Sequence, residues 1–247
     1  MPENEQATIG PTLAVARLAQ AVFTSARTVR SNGYQLVGHS QDVDQRDCTE
    51  LIRWGPSHDS LAAGASRSVN YFPLPSGAYC LSQTVAHGAE HSRRGGVRCY
   101  THCLVCGSED LEIVAYDPWL LFAAAERAGL FACWERVPQR LPTVELPLST
   151  AVPQATCDVE VADDVLEALQ HDRLAIWGVQ DAEALVAGVL AAMSPAARRT
   201  CSFTTGLRHS PQRPFRLMCV EQDSRIFRRL ARQGIHVLGP IKGVRPL

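Results

Sequence analysis

A chain of 247 residues, 46% of them hydrophobic, can bury a core as one large domain or as two small ones. Its formal charge of −1 weighs against duplex nucleic acid or an anionic membrane surface as partner. The positive charge is almost entirely arginine, with Lys242 the single lysine, so cationic contacts use a planar fork suited to carboxylate or phosphate.

In chain order, residues 1–17 read as a flexible leader, opening with the polar, acidic MPENEQATIG rather than a signal peptide. Ala21 to Ser25 and Tyr34 to His39 read as two strands, joined by a Ser31-Asn32-Gly33 corner that tolerates left-handed geometry. A short helix is predicted over Asp42–Arg53, capped by Asp44 or Asp47, with Cys48, Leu51 and Ile52 inward. A hairpin follows from Ser68–Phe72 and Tyr79–Val85, with Pro73, Pro75, Ser76 and Gly77 in the connection.

Val97 to Cys106 reads as a strand whose faces carry Cys99, Thr101, Cys103 and Val105 against Arg98, Tyr100, His102, Leu104 and Cys106. Pro118–Leu130 reads as a helix capped by Asp117. Four prolines between Val137 and Pro153 mark residues 137–153 as a linker between lobes spanning 18–136 and 154–247. The second lobe alternates a helix (Asp163–Gln170), a strand (Leu174–Val179) and a helix (Asp181–Met193). Strands at Cys201–Gly206 and Phe215–Val220 and a basic helix at Ser224–Gln233 complete it. The expected class is α+β: two lobes, each a small mostly antiparallel or mixed sheet with helices packed on it. No stretch reaches the roughly 20 apolar residues of a membrane helix. Nine scattered cysteines read as reduced thiols, which makes the cytoplasm the expected location.

Several clusters compete as functional sites. Cys99, His102, Cys103 and Cys106 have spacings that invite zinc. A strand, however, sends Cys103 and Cys106 to opposite faces, and Cys80, His87 and His91 give no second pair at standard spacing. Buried free thiols explain the pattern more simply, so no metal is expected. A nucleophilic pair could use His39 or His102 as base with Cys99, Cys103 or Cys80, provided they meet in space. The turn Arg93-Arg94-Gly95-Gly96, followed by Arg98, suits a partner or an anion but lacks the order of a phosphate-binding loop. Arg225, Arg228, Arg229 and Arg232 line one helix, as a solvated face or a docking surface.

Taken in order, these motifs resemble the bacterial GTPase-associated proteins. The resemblance rests on Val22-Phe23-Thr24-Ser25-Ala26, Gly33-Tyr34-Gln35-Leu36-Val37, Leu81-Ser82-Gln83-Thr84, Gly88, Arg94 and Thr101-His102-Cys103-Leu104-Val105 in the N-terminal domain. Pro195, Arg198-Arg199, Ser202 to Leu207 and Arg213-Pro214-Phe215 are similar to the middle domain that follows it. The resemblance implies an accessory protein with no cofactor, encoded beside a GTPase or other NTPase in a bacterial conflict or defence system. Gln83 stands where the family often has Arg, His91 lies near its acidic position, and Cys103 replaces a second histidine. These departures favour a protein-binding adaptor, with Arg93, Arg94 and Arg98 at the partner surface and no nucleic acid or membrane involved. The alternative is a cysteine- and histidine-dependent hydrolase, possible only if His39, His102 and a thiol converge. A third role, an arginine supplied in trans to a GTPase by Arg94, rests on analogy.

Overall fold

Apolar–polar alternation along the first half of the chain builds antiparallel ladders in the computed structural model, which describes residues 13–27, 32–90, 97–149, 159–170 and 173–240. Strand β1 (Leu13–Arg27) pairs with β2 (Asn32–His39) on one side and with β5 (Val97–Cys106) on the other. β4 (Tyr79–Ala89) lies between β5 and β3 (Arg67–Pro73), again antiparallel. β6 (Val144–Ser149) runs beside the first part of β1, from Leu13↔Ser149 to Leu18↔Val144. The later strands β7 (Leu174–Trp177), β8 (Phe203–Thr204), β9 (Leu217–Val220) and β10 (His236–Leu238) pair in parallel.

Among the described residues these strands form one sheet of ten, ordered β10-β7-β9-β8-β3-β4-β5-β1-β2, with β6 beside β1. Its first face is covered by α2 (Ser108–Ile113), α3 (Pro118–Arg127), α4 (Val159–Leu169) and α5 (Ala182–Ala192), whose Leu111, Leu121, Phe122, Val165, Leu185 and Val189 pack on Leu18, Tyr71, Leu81, Leu104 and Ile176. The second face lies under α1 (Gln45–Trp54) and α7 (Ser224–Arg232), through Cys48, Leu51 and Leu230. The short α6 (Pro195–Thr200) leads into β8, with Ser194 Oγ accepting from Ala197 N at its start. No helix among the described residues is long and apolar enough to cross a membrane.

The α+β class is what the structure has, but the two small sheets expected, one per lobe, are joined into one. Among the described residues two pairs of the β3–β8 ladder make the joint: Asn70↔Thr204 and Tyr71↔Phe203. Buried polar side chains reinforce it. Thr204 Oγ1 donates to Asn70 Oδ1 at 2.6 Å, and Ser68 Oγ donates to the same oxygen at 2.8 Å. Asn70 Nδ2 turns the other way, toward Ser82 Oγ at 3.3 Å and Thr84 Oγ1 at 3.5 Å. Arg67 adds a bidentate grip on Glu183 of α5, at 2.6 and 2.5 Å, and also pairs with Glu126 of α3.

Other boundaries differ from expectation for local reasons. Residues 13–17, expected in the leader, begin β1, because Ala16 and Leu18 are buried in the same core cluster as Leu146 and Leu148 of β6. Residues 144–149, expected in the linker, are that strand, which as an edge strand tolerates Pro147. Asp44 is the cap of α1, accepting from Arg46 N at 2.8 Å, and Ile52, expected inward, is 51% exposed.

If the Asn70 amide holds the joint, Asn70→Ala strands several buried hydroxyls and lowers unfolding free energy by about 3 kcal/mol, read by urea titration. Ser82→Ala, which removes one long bond, costs about 1 kcal/mol. Equal costs for the two variants would remove the amide from its place at the joint.

Candidate functional site

On the second face, β3, β4, β5 and β8 each contribute side chains of the same parity, and most are polar. Ser68, Asn70, Ser82, Thr84, Thr101 and Thr204 are all buried, and Thr84 Oγ1 meets Thr101 Oγ1 at 3.0 Å. Thr204 Oγ1 also accepts from Leu207 N at 3.2 Å and Ser68 Oγ from Gly206 N at 2.9 Å, which folds the chain after β8 over the ladder. Above this floor lies a small half-enclosed cavity, of about 20 Å³. Asn70, Ser82, Thr101 and Cys103 form its base, and Phe23, Leu51, Trp54, Phe72, Leu207 and Phe215 form its walls. Gly55 is required beside it, since a Cβ there would stand 2.4 Å from the Phe23 ring.

The floor offers neutral donors and acceptors. It suits an ordered water or a small neutral hydrogen-bonding group, held by apolar walls and oriented from below. Arg213 is buried against the backbone of one wall residue: Nε donates to Trp54 O at 3.1 Å, Nη1 to Arg208 O at 3.0 Å and Nη2 to Ser60 Oγ at 3.2 Å. Burial lowers its pKa, and its charge lies close enough to Cys99 to favour the thiolate there. Burial outweighs that help: the Cys99 thiol is held above its ordinary value, with the backbone of Ser60 and Leu61 and the Arg213 charge opposing. The Cys80 thiol, beside Cys103, is likewise pushed up by burial.

The histidines and cysteines singled out from sequence are divided by the sheet. Ala21 pairs with His39 on one side and Cys103 on the other, so those two share the second face, about 10 Å apart across two strand spacings. His102 pairs with Val22 and points to the first face. The convergence of His39, His102 and a thiol that a hydrolase needs is therefore not formed. Cys99 and Cys103 lie on the second face, while Cys106 joins the first-face core with Leu104. Among the described residues no three His, Cys, Asp or Glu side chains group to hold a metal ion.

His102 instead ends a buried hydrogen-bonded chain. Gln20 Nε2 donates to Pro142 O at 2.8 Å, which turns Gln20 Oε1 toward His102 Nε2 at 3.0 Å, so this nitrogen carries the proton. Ser40 Oγ donates to the same Pro142 carbonyl at 3.0 Å and accepts from Gln20 N at 2.8 Å. Rings of Phe131 and Trp134 cover the imidazole, with centroids at 6.0 and 5.3 Å. Burial lowers its pKa to about 4, with the Ala132 backbone opposing, and Nδ1 is buried without a hydrogen-bond partner among the described residues. His39 Nδ1 meets its neighbour's carbonyl, Ser40 O, at 2.9 Å.

Arg93 and Arg94 lie outside the described residues. Arg98 is half-buried and donates from Nε to His87 O at 2.9 Å. The polar floor and Arg213 were not picked out as a site from the sequence, although Ser68-x-Asn70 and Ser82-x-Thr84 repeat polar residues at the two-residue period of one strand face.

A family model described as GTPase-associated protein 1, N-terminal domain type 2, matches residues 17–147. No curated protein and no solved structure matches the chain.

The depressed His102 pKa fixes a pH dependence. The native ring stays neutral down to about pH 4, whereas in the unfolded chain it takes a proton near 6.5. Stability is therefore complete above that value and falls as the pH drops from about 6.5 toward 4. Between pH 7.5 and 5, wild type should lose about 2 kcal/mol more than His102→Leu, compared by urea unfolding at both pH values. Parallel losses would place the ring in a wetter setting than the structure gives it.

Proposed function

Because the chain belongs to the GTPase-associated protein 1 family, carrying its N-terminal domain of type 2 over residues 17–147, we propose that it is an accessory protein that binds a partner protein in a GTPase- or other NTPase-linked bacterial conflict system. The observation that carries the reading is the tip of the β4–β5 hairpin. Pairing of β4 with β3 stops at Arg67↔Val85, and pairing of β5 with β1 stops at Thr24↔Tyr100. The two strands go on pairing with each other to Ala89↔Val97, so the tip outruns its neighbours on both sides.

That tip has the chemistry of a docking element. Val97 is 56% exposed, and Ala86, Gly88 and Ala89 are exposed beside it. Arg98 stiffens the base through His87 O, and the turn of the backbone at Gly88 has φ +74°, a conformation that favours glycine. Arg93 and Arg94 fall in the connection between the strands. In this reading the three arginines present forked donors to acidic or phosphate groups of the partner, around the apolar contact made by Val97.

Co-purification with the GTPase encoded in the neighbouring gene tests it. Arg94→Ala and Val97→Asp should each weaken capture roughly tenfold, the effect of one charge-assisted hydrogen bond or one apolar anchor, with unfolding midpoints unchanged. Full capture by both variants would remove the hairpin tip from the partner surface.

A further inference from the structure

Two helices on opposite faces of the parallel half of the sheet carry opposite charge. α4 packs Val165, Ala168 and Leu169 into the first-face core, which leaves Asp163, Asp164 and Glu167 exposed on its outer side. α7 packs Leu230 and Ile226 into the second-face core and leaves Arg225, Arg228, Arg229 and Arg232 exposed. With successive side chains about 100° apart around a helix, the three carboxylates share one fan of about 100°, and so do the four arginines. None of these seven side chains has an ion pair among the described residues. The carboxylates nearest α7 in the chain are spent elsewhere. Asp223 caps the helix by accepting from Arg225 N at 2.7 Å, and Glu221 accepts from Ala63 N at 2.5 Å and Arg208 Nε at 3.2 Å.

The spacings match. Asp163, Asp164 and Glu167 fall at i, i+1 and i+4, and so do Arg228, Arg229 and Arg232, so each triad spans about 6 Å of its helix. Like charges four residues apart disfavour their own helix, and a facing stripe of opposite sign at the same spacing relieves both. Within one chain the two helices cannot meet, because the sheet lies between them. Leu174 and Ile176 of β7 belong to the core under α4, and Ala175 to the core under α7. A second copy can bring the stripes together. The formal charge of −1 leaves little net repulsion between copies, while opposite charge on opposite faces favours their alignment.

We infer that the chain self-associates head to tail, with α7 of one copy laid along α4 of the next. Guanidinium forks suit this contact, since each can hold a carboxylate through two hydrogen bonds. Exposed ion pairs are individually weak and screened by salt, so the contact is reversible and strongest at low ionic strength. It uses a different surface on each copy, so every added copy leaves one α4 and one α7 free at the ends and the row stays open. The contact is separate from the hairpin tip and does not depend on the partner-binding reading.

Sedimentation velocity of the full chain tests the inference. At low ionic strength the average mass should rise with protein concentration, and molar salt should return it to that of the monomer. Arg228→Gln with Arg229→Gln, or Asp163→Asn with Asp164→Asn, should lower the association constant roughly tenfold, the loss of two exposed ion pairs, with unfolding midpoints unchanged. Mixed in equal amounts, the two double variants should recover the wild-type affinity but stop at a one-to-one pair, since each keeps the helix that the other lacks. A wild-type chain that stays monomeric, association that survives molar salt, variants that associate like wild type, or a mixture that does not pair would each overturn the inference.

Discussion

One side-chain amide sits where the two halves of the sheet meet. Backbone pairing between β3 and β8 extends over two residues, too short a ladder to align a parallel half with an antiparallel one unaided. Asn70 supplies the rest by splitting its functions: the carbonyl end receives Thr204 and Ser68, and the NH2 end faces Ser82 and Thr84. Hydroxyls suit this role, because each can turn its proton toward whichever neighbour needs it. In such a dry setting a satisfied network specifies one register and penalises every other. The cavity floor and the crossing of the chain after β8 both follow from that register.

The same sheet keeps its reactive-looking groups apart. Alternation puts His102 under Phe131 and Trp134 on one face and Cys103 beneath the aromatic walls of the cavity on the other. On both faces the chemistry is that of packing: a histidine held neutral by burial and thiols held protonated by burial. What reaches solvent is of another kind, an apolar hairpin tip and an arginine-rich helix.

Local patterns were legible in the sequence wherever a single element carried its own signal. The alternation of β5 assigned each of its residues to the correct face, Asp117 marked the start of α3, and Asp44 was one of two candidates for the start of α1. Features that need a distant partner were not legible. The start of β1 depends on β6, more than a hundred residues away, and Arg17 interrupts the apolar run that would have announced it. The joining of the two sheets depends on a two-residue strand whose neighbours carry no local mark. Motifs read singly, Ser82 and Thr101 from one half and Leu207 and Phe215 from the other, come together around one cavity only in three dimensions.

The short strand β8 also acts as a cover. The family domain ends at residue 147, yet the outer side of β3 is closed by residues 203 and 204. Without them β3 would present bare amides and carbonyls beside the apolar side chains of Val69, Tyr71 and Phe72, a template for pairing with other chains. The region beyond residue 147 therefore completes the N-terminal sheet by supplying the strand that occupies this edge.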